Sequence, residues 1–149
     1  MTEFSYESLS TIEPKEFAQV VKATPDSKIA EVMSGDDRGK ILDEVFNRMP
    51  KLFRADRAGA TKTVIHWIIT GGAGGPDTYE TVIEDGACTV TSQPAREPKL
   101  AMTMDPVTFL KVVSGDGNPM MMFMTGKIKA TGDLGLAAQV AKLFDIPKA

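Results

Sequence analysis

Apolar positions recur along this chain with two periods, and the change from one to the other divides it into helical and extended stretches. Between Pro14 and Ala23, Phe17 and Val21 stand four apart with Val20 beside them, which predicts a helix with one apolar face. Thr24 before Pro25 has the arrangement of a helix cap followed by a first-turn proline, and Ile29, Val32 and Met33 form an i, i+3, i+4 stripe that Gly35 ends. From about Arg38, the residues Ile41, Leu42, Val45, Phe46 and Met49 give a wide apolar face. That helix is expected to stop near Pro50, because proline disfavours helical backbone in the residue before it. Arg54 to Gly59 reads as a charged link.

The middle of the chain loses the helical period. Val64, Ile65, Trp67, Ile68 and Ile69 make Thr61 to Thr70 a β-branched and aromatic run, predicted to be a strand buried on both faces. Thr78 to Glu84 alternates, and Asp85-Gly86 is a two-residue hairpin signal that leads into Ala87 to Ser92. After a turn with two prolines, Lys99 to Met104 places Leu100, Met102 and Met104 on one face of a further strand.

Helical spacing then returns. Asp105 before Pro106 is placed to cap a helix containing Val107, Phe109, Leu110, Val112 and Val113, and Gly115 closes it. A second turn begins at Pro119 and holds Met120 to Met124, a stretch too apolar to be expected at the surface. Lys127 to Thr131 reads as a short last strand with its lysines toward solvent, and Gly132-Asp133 leads to a final helix carrying Leu136, Val140 and Phe144. Helices, a meander, helices, a strand and a helix describe one α+β domain, without repeats or linkers.

Composition narrows what such a domain does. Nine methionines in 149 residues are the one excess, and flexible, polarizable Met suits an apolar pocket that accepts varied shapes as well as plain core filling. A net charge of −3 with scattered lysines argues against a nucleic-acid partner. The single Cys88 forms no internal disulfide, Met1 to Ser10 lacks a cationic-then-apolar leader, and no apolar run approaches a membrane span. A cytoplasmic location is expected.

Candidate chemistry is sparse. His66 is the only histidine, which excludes sites needing two imidazoles, and Cys88 carries no nucleophile signature. Gly71, Gly72, Gly74 and Gly75 lack the Lys-Ser/Thr and the following helix of a phosphate loop. Asp105 and Asp133 precede apolar helices and read as caps, whereas Glu80, Glu84 and Asp85 fall on the outward side or the turn of a hairpin. No catalytic residue, metal site or cofactor is predicted.

The run from Phe123 through Gly126-Lys127-Ile128-Lys129 and Gly132-Asp133 to Lys142-Leu143-Phe144, with Gly117-Asn118-Pro119 upstream, resembles the signature segment of the sterol carrier protein type 2 family. With the strand from Thr61 and the helix start at Asp105, the resemblance covers roughly residues 38–146. It implies a five-stranded, mostly antiparallel sheet covered by helices and enclosing an apolar tunnel. It also implies binding, and transfer without turnover, of a sterol, fatty acid, fatty acyl-CoA or related lipid. On this reading Trp67, Met102, Met104, Phe109 and Val113 supply one part of the wall, and Met120, Phe123, Met124, Leu136, Val140 and Phe144 the rest. His66 or Tyr79 would orient a polar group at the mouth.

Residues 1–37 would then be a helical extension on a core of 38–149, similar to that of bacterial stand-alone members, covering a tunnel mouth or making a homodimer contact. Asp145 to Ala149 lacks a peroxisomal tripeptide. Two other readings stay open. One is a pocket enzyme or accessory factor in polyketide, terpenoid or steroid metabolism, using His66, Asp105 or Tyr79. The other is an interaction module, which an exposed apolar patch on residues 14–33 would favour.

Overall fold

The computed structural model describes residues 6–9, 11–72, 74–115 and 119–144, and within them leaves aside the side chains of Ser8, Pro14, Pro119, Met120, Ala137, Ala138, Val140 and Ala141. The N-terminal part carries α1 (Tyr6–Leu9), α2 (Pro14–Ala23), α3 (Asp26–Val32), α4 (Arg38–Leu52) and α5 (Ala55–Ala58). The meander follows as β1 (Thr63–Ile69), β2 (Asp77–Glu84), β3 (Ala87–Thr91) and β4 (Leu100–Met104). The chain closes with α6 (Pro106–Ser114), α7 (Pro119–Met124), β5 (Ile128–Gly132) and α8 (Leu134–Leu143).

The five strands form one sheet in the order β3-β2-β1-β4-β5. Its neighbours are antiparallel except for β1 and β4, which run parallel because, after the β2–β3 hairpin, residues 92–99 cross back over the sheet to the end where β1 begins. The hairpin is pinned by Asp85 and Gly86, at φ 54° and 72°, the left-handed pair that a two-residue turn of this twist requires. The register sets Trp67 beside Tyr79 on one side and Met102 on the other, and Ile65 beside Thr81 and Leu100. All of these point to the face covered by helices and are buried.

The opposite face is half-open, which corrects the expectation of a strand buried on both sides. Thr63, Ile65, Trp67 and Ile69 are buried, whereas Val64, His66 and Ile68 are half-buried. Three further boundaries differ from the sequence reading. Thr24 does not start α3; it ends α2, its hydroxyl donating to the Val20 carbonyl at 2.6 Å and its backbone N–H to Val21. Helix α4 continues through Pro50 to Leu52, because a proline so near the end costs a single hydrogen bond before Phe53 N–H closes the turn on the Pro50 carbonyl. The charged link contains α5, braced by the Arg54–Asp56 pair.

Phe17, Val21 and Ile29 are buried and share one apolar cluster with the sheet, so residues 14–33 do not present the exposed patch that an interaction module would need. Arg38 ties this region to the sheet. Only 6% exposed, it donates to the Asp77 carboxylate at 2.8 Å, to the Ile69 carbonyl at 2.7 Å and to the Met33 carbonyl at 3.2 Å. A buried guanidinium satisfied in this way locks α4 to β1, β2 and the end of α3. Among the described residues no helix is long and apolar enough to cross a membrane.

Candidate functional site

The covered face of the sheet carries an apolar layer with an aromatic centre. Phe46 of α4 stacks on Tyr79 (centroids 4.1 Å apart, 11° between planes) and on Phe109 (4.9 Å, 20°), and meets Trp67 edge-on at 6.1 Å. Trp67 and Phe109 meet edge-on at 6.2 Å. Such offset and T-shaped pairs add stability beyond the area they bury. Trp67 is fixed further by its indole N–H, which donates to Thr81 Oγ1 at 3.0 Å, and Met102 and Met104 continue the layer along β4.

Of the predicted wall residues, the structure buries Trp67, Met102, Met104, Phe109, Leu136 and Phe144 in one apolar cluster. Val113 packs at its margin, and Phe123 is half-buried. Met120 and Val140 lie on α7 and α8 with side chains outside the described residues, as does the Gly117-Asn118 turn. The stretch 120–124 was expected to avoid solvent; instead Met122 is buried, while Met121 and Met124 are 57% and 76% exposed. A short helix packed against β5 has room to bury one side of itself, so Met121 and Met124 face out. Phe46 was legible as a core residue, but its place at the centre of the aromatic cluster was not, since it depends on how α4 crosses the sheet.

The polar candidates do not converge. Register pairs His66 with Glu80 and Trp67 with Tyr79, so His66 and Tyr79 lie on opposite faces. Asp105 accepts the Thr108 N–H at 2.7 Å and Asp133 the Leu136 N–H at 3.1 Å, both as helix caps. Cys88 shares the covered face with Trp67, away from His66, and burial pushes its thiol up to about 12, a poor nucleophile.

Glu80, expected to face outward, is 3% exposed. Residues 93–98 cross over it, and its Oε2 accepts from Arg96 N–H at 2.9 Å, Ala95 N–H at 3.2 Å and His66 Nε2 at 2.9 Å. Burial opposes its ionisation, yet these hydrogen bonds outweigh it and hold the carboxyl below its ordinary 4.5. A lowered folded value stabilises the fold above the unfolded Glu range, and that contribution drains away as pH falls through the folded value. Glu80→Gln should therefore show a shallower loss of unfolding free energy on acidification below about pH 4.5 than the wild type, as read by urea titrations at a series of pH values. Parallel curves would mean that this carboxylate carries no pH-linked stability.

Beside the aromatic cluster, a cleft of about 320 Å³ opens between α4 and the β2–β3 hairpin, lined by Asp43, Phe46, Asn47, Tyr79, Val90, Thr91 and Ser92. The Tyr79 hydroxyl donates to Asp43 Oδ1 at 2.5 Å. Burial first, and then this carboxylate, raise the phenol well above its ordinary value, so Tyr79 serves as a neutral donor and not as a base.

Residues 42–145 match the SCP-2 sterol transfer family. Hydroxysteroid dehydrogenase-like protein 2 of Xenopus tropicalis is 27% identical over 123 residues, which are 82% of this chain and 29% of that protein. The Homo sapiens protein of the same name is 27% identical over 108 residues, 72% of this chain and 26% of that one. The chain thus spans less than a third of the length of these relatives. Among solved structures, sterol carrier protein 2 like 2 from Aedes aegypti is similar with a TM-score of 0.52 and 17% identity, over 72% of this chain and 96% of that one. The sec-alkylsulfatase Pisa1 from Pseudomonas sp. reaches a TM-score of 0.62 at 14% identity, over 73% of this chain and 17% of that one. The structural likenesses share the α+β fold, and the match across 42–145 assigns the lineage: this chain belongs to the SCP-2 sterol transfer family.

Proposed function

We propose that this protein binds one apolar lipid (a sterol, a fatty acid, a fatty acyl-CoA or a related molecule) between the sheet and its covering helices, and carries it through the cytoplasm without chemical change. The observation that supports this most is that the family match over 42–145 takes in the whole Trp67, Met102, Met104 and Phe109 layer. Methionines along β4 can change rotamer and repack around a chain or ring system, and removing ligand surface from water supplies the driving force, about 25 cal/mol per Å² before association costs. An Aedes aegypti protein of this fold has been solved in palmitated form.

The lone Trp67 is a built-in reporter. Titration with a fluorescent lipid analogue should change Trp67 emission saturably at one ligand per chain, and unlabelled sterol, fatty acid or acyl-CoA should reverse the change. Failure of all three to compete, together with no co-purifying lipid in native mass spectrometry, would overturn the proposal.

The second reading, an accessory domain serving an enzyme, draws on a specific observation: the same fold makes up 17% of the sec-alkylsulfatase chain, and the curated relatives extend well beyond the matched region. It predicts stimulation of a separate enzyme's turnover of a lipid substrate, with His66→Ala as active as the wild type because His66 is engaged with Glu80 on the far face.

A further inference from the structure

Lipids that this fold could hold differ most at their polar end, and the cleft beside the aromatic cluster has a definite chemistry there. Phe46 and Tyr79 belong to both places: their rings form part of the cleft lining and also stack within the buried cluster. A ligand whose apolar body lies among Trp67 and Phe109 therefore needs to pass only the Phe46 ring to set its head in the cleft. Among the described residues, no Lys, Arg or His lines that space. Its ionisable members are Asp43 and Tyr79, and the phenol hydrogen of Tyr79 is already given to Asp43 Oδ1. Asn47, Thr91 and Ser92 can each donate as well as accept, and Thr91 Oγ1 already accepts the Gln93 N–H, so what sets the chemistry of the cleft is the charge of Asp43, whose second oxygen remains open to a donor. A carboxylate or phosphate placed here would meet the like charge of Asp43, and the Arg38 guanidinium, which reaches Tyr79 electrostatically, is already paired with Asp77.

We propose that this cleft is the headgroup subsite of the bound lipid and that it selects a hydrogen-bond-donating head, an alcohol or an amine, over a carboxylate or phosphate. The assignment rests on the lipid-binding reading and narrows it toward hydroxylated or amino lipids. Phe46 is the ring that separates head from tail. Asp43, exposed and held by Tyr79, is the specificity-determining acceptor.

The test uses three ligands with the same sixteen-carbon chain, hexadecanol, hexadecylamine and palmitate, competed against one fluorescent analogue on the full chain at neutral pH. The wild type should bind the alcohol and the amine at least about tenfold more tightly than palmitate. Asp43→Asn should bring the amine to within about threefold of palmitate. Asn47→Lys, at an exposed position outside the aromatic stack, should favour palmitate instead, and its circular dichroism and melting temperature verify that it is folded. Equal or tighter binding of palmitate by the wild type would overturn the headgroup assignment, as would an unchanged preference in Asn47→Lys. If none of the three ligands binds, the lipid-binding reading itself falls and the subsite with it, an outcome distinct from chains that bind without headgroup preference.

Discussion

Gly132→Ala should cost more than about 3 kcal/mol of stability, whereas Gly126→Ala, in the turn that leads into the same strand, should cost about 1 kcal/mol. Both glycines have positive φ, 101° at Gly132 and 82° at Gly126, so both substitutions strain the backbone. What separates them is space. A Cβ on Gly126 meets nothing within 4 Å, but one on Gly132 would fall inside the Lys99 carbonyl, with Leu100 Cα at 3.3 Å. That carbonyl cannot simply retreat, because it accepts the Asp133 N–H at 2.8 Å and belongs to the chain entering β4. Relief of the clash would pull β5 from β4 where Leu100 pairs with Gly132, and would shift the Asp133 cap of α8. Urea unfolding of the two variants against the wild type measures the difference. Equal losses would show that φ alone governs this strand and that the approach of Lys99 does not matter.

The same segment shows why some of this molecule could be read from its sequence. Asp85-Gly86, Asp105 before Pro106, Gly115 and Asp133 each act on backbone within four residues of themselves, so their hairpin, caps and stop were legible without knowledge of the fold. The one-sided alternation of Leu100, Met102 and Met104 was legible for the same reason. Glu80 was not. Its alternation within β2 marks it as outward-facing, and its burial depends on residues 93–98 folding back across the sheet. Nor did local pattern indicate that His66 and Tyr79 lie on opposite faces of neighbouring strands, which follows from the register of β1 with β2. Met121 and Met124 illustrate the limit of hydropathy itself: a six-residue helix can be wholly apolar and still place two of its described side chains in water. The candidate site was therefore legible as a list of buried residues on β1, β4 and α6. Its centre, Phe46, and its polar annex, Asp43 with Asn47, belong to α4 and gain meaning only once α4 lies against Tyr79.

Phe46→Ala should produce a loss of about 3–5 kcal/mol in unfolding free energy, with the melting temperature falling accordingly. Phe46 is 1% exposed and touches the rings of Tyr79, Phe109 and Trp67, so truncation removes apolar burial, two stacked contacts and one edge contact, and leaves a cavity that the stiff strands β1 and β2 collapse into poorly. The new space adjoins the cleft, which has two consequences beyond stability. Water reaching the indole should shift Trp67 emission to longer wavelength in the folded variant. An apolar tail that fills the new space should bind the variant more tightly than the wild type, so that by mass action the same concentration of a long-chain ligand raises the variant's melting temperature by more than that of the wild type. Phe46→Leu, which keeps apolar volume without the stacking, should fall between the two in stability. A loss below about 1.5 kcal/mol for Phe46→Ala would mean that α4 is anchored by Ile41, Leu42 and Val45 alone. Unchanged Trp67 emission would mean that the ring does not stand between the cleft and the buried layer.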